Sequence, residues 1–235
     1  FILAGIPLVL ILKQPDLSTT IVTALIFITL LFIAGLSYKI VVGALAIGIP
    51  SVIIVLALTV SGKVDFLIGY QRTRIMAWLD PTNPEFSDKA RQQQNSIMAI
   101  GSGQLWGKGL NNSAATSMKN ANYIIEPQTD FIFAVTGEEL GFIGTIAIIL
   151  LTFLIVIECI LIARKAKDLS GRLICCGVAA WIGFQAFVNI CVATGLFPNT
   201  GVTLPFVSYG LTSLMSLYIA IGFVLNVGLQ PKKYH

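Results

Sequence analysis

One run of the chain places carboxylates where a polar stretch enters a long apolar one: Glu126-Pro-Gln-Thr-Asp130-Phe-Ile-Phe-Ala-Val-Thr-Gly-Glu138-Glu139-Leu-Gly. Ionisable groups at such a boundary are costly to desolvate and read first as functional. Asp130 stands directly before Phe131-Ile-Phe-Ala-Val, where desolvation raises a carboxyl's pKa toward that of a working general base. The same position also suits an Asp that caps the following helix. Glu138 and Glu139 come one turn before the main apolar run, and at least one of them is expected to bond a neighbouring helix or backbone. Glu158 lies deeper, close enough to the far end of that run for its head to reach the interface or Arg164.

Other chemistries are excluded by residue type. The one histidine is His235, at the end of the chain, so a Ser-His-Asp triad, a histidine base and a His-containing zinc site are ruled out. Cys159, Cys175, Cys176 and Cys191 fall inside apolar runs and read as small buried side chains, not as disulfides or metal ligands. The run Gly101-Ser-Gly103-Gln-Leu-Trp-Gly107-Lys108-Gly109 has the wrong spacing for either a dinucleotide fingerprint or a Walker A loop. It is expected to be a tight turn against the membrane surface, with backbone amides that could still touch a pyrophosphate.

These residues must be positioned by a membrane protein. Hydrophobic residues make up 56% of the chain and charged residues 11%, with a mean hydropathy of +0.86; soluble domains carry about 25% charged residues. Spans are expected at about 17–36, 40–60, 139–163, 173–193 and 204–229, each near the ~20 residues that cross a bilayer. Residues 1–12 have the same character at partial length, so Phe1 reads as an internal point of a longer chain, inside a transmembrane helix. The fold expected is an all-α integral membrane protein, a single polytopic helical bundle over residues 1–235. The long extracytoplasmic loop, 61–129, would contain interfacial helices: Asp65–Leu79 mixes aromatic, aliphatic and basic residues as such helices do. Ser87–Ile100, with few apolar residues, is expected to cover a polar cavity or to stay in water.

Basic residues orient the bundle, because short loops rich in Lys and Arg stay in the cytoplasm. Lys39, the Arg164–Arg172 turn and Lys232-Lys233 then fall inside, while Asp16, Asp130 and the Pro198–Ser208 region share the outer face. The net charge of +4 is thus a topology signal, and no basic stripe with interleaved aromatics suggests nucleic acid. Gln14-Pro15-Asp16, the Asp130 run and the Asn189–Gly210 region are three polar breaks on one side. Such breaks are tolerated only against protein or a cavity, so an outward-open cavity is expected.

Several motifs in order resemble the SEDS family of membrane glycosyltransferases, which polymerise peptidoglycan in bacterial elongation, division and sporulation. Gln14-Pro-Asp16-Leu-x-Thr19 is similar to the family's Q-P-D-L-G-T, and Tyr70-x-x-x-Arg74 through Leu79-Asp80-Pro81 to its Y-x-x-x-R and L-D-P helix. Gln92, Ser96, Ala99-Ile-Gly-Ser-Gly103 and Gly107-Lys108-Gly109 follow, then Thr129-Asp130-Phe-Ile-Phe-Ala134, Glu138-Glu-Leu-Gly141, and Asn189 through Leu204-Pro-Phe-x-Ser208-Tyr-Gly210. Ser18, Arg91, Gln128, Cys191 and Leu211 depart from the pattern, and Pro127 is displaced from its usual place; none of these touches Asp130.

The resemblance implies Asp130 as catalytic carboxylate, with Asp16, Arg74, Lys108, Glu126 and Ser208 binding substrate. The implied reaction polymerises lipid II into a growing glycan strand at the outer face of the bacterial cytoplasmic membrane. An acceptor sugar hydroxyl would attack the anomeric carbon of a donor whose undecaprenyl pyrophosphate leaves, with Arg74 and Lys108 near the pyrophosphate. No cofactor is required by the residues present, and a divalent cation, Mg2+ or Mn2+, could share the pyrophosphate's charge. The implied partner, besides membrane lipids, is a class B penicillin-binding transpeptidase. Spans beyond this chain would complete the cavity, so the stretch alone is expected to be inactive. Two rival classes are a lipid-linked precursor flippase or ion-coupled carrier, which broken helices and intramembrane carboxylates would suit, and a noncatalytic scaffold of the cell-wall machinery.

Overall fold

A computed structural model describes residues 10–11, 17–60, 69–110 and 128–230. Every regular element among them is helical. In chain order these are α1 (Leu17–Ile33), α2 (Tyr38–Val60), α3 (Gly69–Leu79), a 3-10 turn (Pro84–Phe86), α4 (Ser87–Ser102), α5 (Ile132–Lys165), α6 (Leu169–Ala193) and α7 (Leu211–Leu229). Among the described residues, α5, α6 and α7 are long and apolar enough to cross a membrane. Ser18–Ile33 and Tyr38–Gly48 are shorter apolar helical stretches.

α6 is the centre of the bundle. Its Cys175, Val178, Ala179 and Ile182 pack with Cys159 and Ala163 of α5 and with Leu217, Ala220, Val224 and Val227 of α7. Its Val188 and Val192 pack with Val22 of α1, Ala99 of α4 and Phe131 and Ala134 at the start of α5. The outward faces of α5 and α7 stay apolar and exposed, with Leu150, Leu151, Phe153 and Phe223 among them, as lipid-facing helices require. The cysteines are free, and Cys159, Cys175 and Cys191 are buried.

Two elements differ from the sequence reading. α5 starts well before the expected span, at Ile132, and is broken at Gly141, whose φ of 67° and ψ of −163° are not helical. The apolar run continues unchanged through the break, so hydropathy hides it. The helix from Phe142 to Lys165 is about 36 Å long at 1.5 Å per residue, enough for a bilayer, whereas 132–140 is a separate, largely buried piece. At the other end of the chain, the stretch 204–210 expected within the last span is an irregular turn, and α7 begins only at Leu211. There Phe206 adopts a φ of 63°, and the N–H groups of Val207 and Ser208 both donate to Leu204 O, at 3.3 and 3.0 Å.

α4 is also more deeply engaged than expected. Ala90, Gln93, Asn95, Ser96 and Ala99 are buried. Gln93 Nε2 donates to Val192 O at 2.9 Å and Phe197 O at 2.6 Å, and Ser96 Oγ donates to Ala193 O at 2.8 Å. The bonds to Val192 O and Ala193 O satisfy carbonyls that the C-terminus of α6 leaves without helical partners, and the bond to Phe197 O ties down the loop beyond it. Of the two placements expected for this polar stretch, over a cavity or in water, the structure shows it packed on protein, where it caps the central helix.

Glu158 does not find Arg164: it is exposed, has no ion pair among the described residues, and lines an apolar groove of about 510 Å3 between α5 and α7.

Candidate active site

Asp130 sits in the turn 128–131 that leads into α5. The N-cap position belongs to Phe131, and no side chain caps the helix there. Phe131 is fully buried against α1, α4 and α6, so burial of the ring holds the neighbouring Asp130 in place.

Three further groups fix the turn. Asn189 on α6, itself fully buried, donates through Nδ2 to Asp130 O at 2.9 Å and to Val202 O at 2.6 Å. Ser208 Oγ donates to Thr129 O at 2.6 Å and accepts from Leu204 N at 2.7 Å. Tyr209 N donates to Gln128 O at 2.9 Å. The segments 128–130 and 202–209 are thereby tied through buried hydrogen bonds, whose loss is costly in a low-dielectric interior.

Arg74 arrives from α3. That helix is tied to the loop after α6 by Trp78 Nε1, which donates to Gly195 O at 2.8 Å, while Asn199 Nδ2 donates to Gln92 Oε1 of α4 at 3.1 Å. Gly201 is where the two charged groups meet. A methyl placed on its α-carbon would lie 3.3 Å from Asp130 Oδ2 and 3.8 Å from Arg74 Nη1. With φ of +78°, the position also disfavours any side chain. Carboxylate and guanidinium therefore face the same small space, which exists because residue 201 has no side chain.

Lys108 lies elsewhere. Its Nζ is 2.8 Å from Glu138 Oε1 in an ion pair whose carboxylate side chain is 2% exposed. Glu138 is six residues into α5 from Ile132, about 9 Å at 1.5 Å per residue, whereas Asp130 precedes that helix. The glycine run that carries Lys108 docks on the break in α5. Lys108 N and Gly109 N donate to Glu138 O and Glu139 O at 2.9 and 3.0 Å, and Phe142 N and Ile143 N donate to Gln104 O and Leu105 O at 2.8 and 3.3 Å. Groups released by the kink at Gly141 are thus re-bonded by the loop. Its amides at Gly107, Lys108 and Gly109 all have protein acceptors.

Of the residues singled out in the sequence, the structure brings Asp130, Arg74 and Ser208 to one end of the bundle, Ser208 buried behind the turn and bonded to backbone. Asp16 and Glu126 lie outside the described residues. Thr19, three residues after Asp16, reaches the same end, where it shares a recess with Gly201. Among the described residues no group of three or more His, Cys, Asp or Glu side chains could hold a metal ion. Gln93, Trp78 and Gly201 were not legible as site residues, because their roles depend on which distant carbonyl or charge the fold sets beside them. The break at Gly141 had one faint signal, a glycine interrupting a helical apolar pattern.

Over residues 1–233 the chain matches the model of the family of FtsW, RodA and SpoVE, described as cell cycle proteins. The chain belongs to this SEDS family. It is 38% identical over 226 residues to the probable peptidoglycan glycosyltransferase FtsW of Nitrosomonas europaea, covering 95% of this chain and 55% of that protein. It is also similar to a chain in the solved structure of a peptidoglycan synthase complex that coordinates polymerization and crosslinking. There the TM-score is 0.70 at 29% identity, over 97% of this chain and 60% of the other. An Asp-to-Ala mutant of the rod shape determining protein RodA from Thermus thermophilus gives a TM-score of 0.59 at 26% identity, over 98% and 58%. The chain thus spans a little over half the length of these SEDS relatives. Its apolar spanning helices and family membership make it a multi-pass protein of the bacterial cytoplasmic membrane.

Proposed function

We propose that the full-length protein is a peptidoglycan glycosyltransferase that polymerises lipid II at the outer face of the cytoplasmic membrane, with Asp130 as general base. The observation that carries this reading is the meeting of Asp130 Oδ2 and Arg74 Nη1 at the side-chain-free Gly201. A base and a fixed cation at one point suit a displacement in which a hydroxyl loses a proton while a pyrophosphate departs. In that step an acceptor sugar hydroxyl attacks the donor's anomeric carbon, and Asp130 takes its proton as the new glycosidic bond forms. The bond from that carbon to undecaprenyl pyrophosphate breaks with its electron pair, and Arg74 offsets the charge that develops.

Ser208 and Asn189 hold the Asp130 turn from behind, and Lys108 acts through Glu138. The substrate-binding roles of Asp16 and Glu126 rest on the family's motifs alone. We assign no step to a divalent cation. The donors beside Gly201 are one carboxylate and one guanidinium, whereas Mg2+ prefers several oxygen ligands; Mg2+ or Mn2+ would have to come with the pyrophosphate oxygens. The outer placement is supported by Arg164, Lys165, Lys167 and Arg172 at the opposite ends of α5 and α6, given the bias of basic loops to the cytoplasm. The exposed Trp78, Leu79, Ile97 and Met98 of α3 and α4 support an interfacial position for these helices at the outer end of the bundle. A class B penicillin-binding transpeptidase is the proposed partner, a reading supported by the likeness to a complex of polymerization and crosslinking. A carrier would set its helix break near the membrane midplane; the break at Gly141 is at the Asp130 end, with the whole spanning length beyond it.

The test is polymerisation of purified lipid II by the full-length protein, wild type beside Asp130→Asn. Loss of a general base is expected to lower turnover by about 10²–10⁴-fold in a protein that still folds and holds its transpeptidase. Near-normal glycan synthesis by the Asn variant would exclude the assignment.

A further inference from the structure

The segment at Gly201–Thr203 is a shared wall. On one side stand Asp130 and Arg74. The wall also helps close a recess of about 250 Å3 between α1 and α6, lined by Thr19, Thr23, Trp181, Gln185, Gly201 and Thr203 together with three aliphatic side chains. No charged side chain lines it.

Three of its polar groups keep unused hydrogen-bonding capacity among the described residues. Thr29, Thr136, Thr152 and Thr194 return their hydroxyls to the carbonyl four residues back, at 2.8–2.9 Å. Thr23, on the same helix as Thr29, makes no hydrogen bond among the described residues. Gln185 is 8% exposed. Its Nε2 donates to Thr203 O at 3.0 Å and Thr203 Oγ1 at 2.9 Å, while its Oε1 accepts from no described group. The Trp181 indole N–H likewise has no acceptor among the described residues. Thr23 and Trp181 are half-buried, so all three groups open onto the recess, and a polar group at membrane depth is stable only when protein, water or a ligand meets it.

The free groups are a hydroxyl, an amide oxygen and an indole N–H beside an aromatic ring. They match a neutral ligand with several hydroxyl or amide groups and do not match phosphate, which calls for cations or charge-assisted donors. A drug-sized site occupies about 300–1,000 Å3, so this smaller recess suits a single ring. We infer that it seats one uncharged sugar ring of the acceptor substrate, across the Gly201 wall from Asp130. This subsite rests on the polymerase reading for the identity of its ligand, and it separates sugar recognition from the charged space at Arg74.

The test uses the full-length protein and two shape-preserving variants, Thr23→Val and Trp181→Phe, each of which removes one hydrogen-bonding group. Binding of lipid II is compared with binding of undecaprenyl pyrophosphate, which carries no sugar. Each variant is expected to weaken lipid II binding by about three- to tenfold, the range for one lost neutral hydrogen bond, and to leave undecaprenyl pyrophosphate binding as in the wild type. In polymerisation each should raise KM for lipid II more than it lowers kcat. Unchanged lipid II binding in both variants, or equal weakening toward both ligands, overturns the subsite. The two proposals fail separately. Loss of turnover in Asp130→Asn with unaltered lipid II binding in Thr23→Val and Trp181→Phe sinks the subsite and keeps the polymerase. Selective weakening of lipid II binding in a wild-type background that makes no glycan does the reverse.

Discussion

Asp130 is held by groups that never need to touch a substrate: the buried ring of Phe131 and the amide of Asn189 position its backbone, and Gly201 gives its carboxylate room. Substituting Gly201→Ala places a methyl 3.3 Å from Asp130 Oδ2, closer than ordinary contact, and in a left-handed backbone that costs about 1–2 kcal/mol for an L-residue. The protein is expected to insert and fold, and its glycan synthesis to fall by roughly 10²-fold, the effect of misplacing a reacting group by about 1 Å. Polymerisation assayed beside thermal unfolding checks this: wild-type turnover from the folded Ala variant would show that the space at Gly201 is irrelevant to chemistry. Asp130 stood out as a candidate in the sequence because a carboxylate at the entry to an apolar run is a local property of the chain. Gly201 did not, since nothing near it in the chain says that a carboxylate and a guanidinium will converge on its α-carbon.

Helix α5 and the glycine loop form one unit in which each repairs the other's backbone. The kink at Gly141 would leave carbonyls and amides of α5 unsatisfied, and the loop 104–109 bonds them. Lys108 and Glu138 lock the unit with a charge pair. Lys108→Met removes the cation paired with a buried carboxylate and is expected to lower stability by about 3–5 kcal/mol, the cost of breaking a buried pair. Adding Glu138→Gln removes the buried negative charge, so the double variant should recover most of the loss; additive destabilisation in denaturant or thermal titrations would show that the two do not interact. Gly141→Ala is expected to be worse tolerated than either, because its methyl would strike Gly107 N and lie 2.7 Å from Leu105 O. A hydropathy pattern registers how apolar a segment is and not whether its hydrogen bonds run unbroken, so the long span was legible and its interruption was not. The glycine loop was legible as a turn, while its docking site, some 30 residues further on, was set by tertiary structure alone.

At the scale of the molecule, the polar elements gather at one end of an apolar bundle. The Asp130 turn, the 194–210 segment, α3, α4 and the start of α1 meet there. Arg164, Lys165, Lys167 and Arg172 mark the other end of the α5–α6 hairpin, and Leu30 of α1 packs against Gly177 nearer that end. α1 therefore runs antiparallel to α6, as alternating spans require. This polarity was readable from charge before any coordinates, because basic residues are retained in the cytoplasm whatever the helices pack against. It makes a claim that depends on neither catalysis nor the subsite. Gln104 and Ser170 are both exposed, one in the loop clasped to the Asp130 end of α5 and one in the basic turn at the opposite end. In full-length protein in intact cells, Gln104→Cys should react with a membrane-impermeant maleimide and Ser170→Cys only after the membrane is opened. The reverse pattern would put Asp130 in the cytoplasm, beyond reach of a strand made outside, and the glycosyltransferase proposal would fall with the topology.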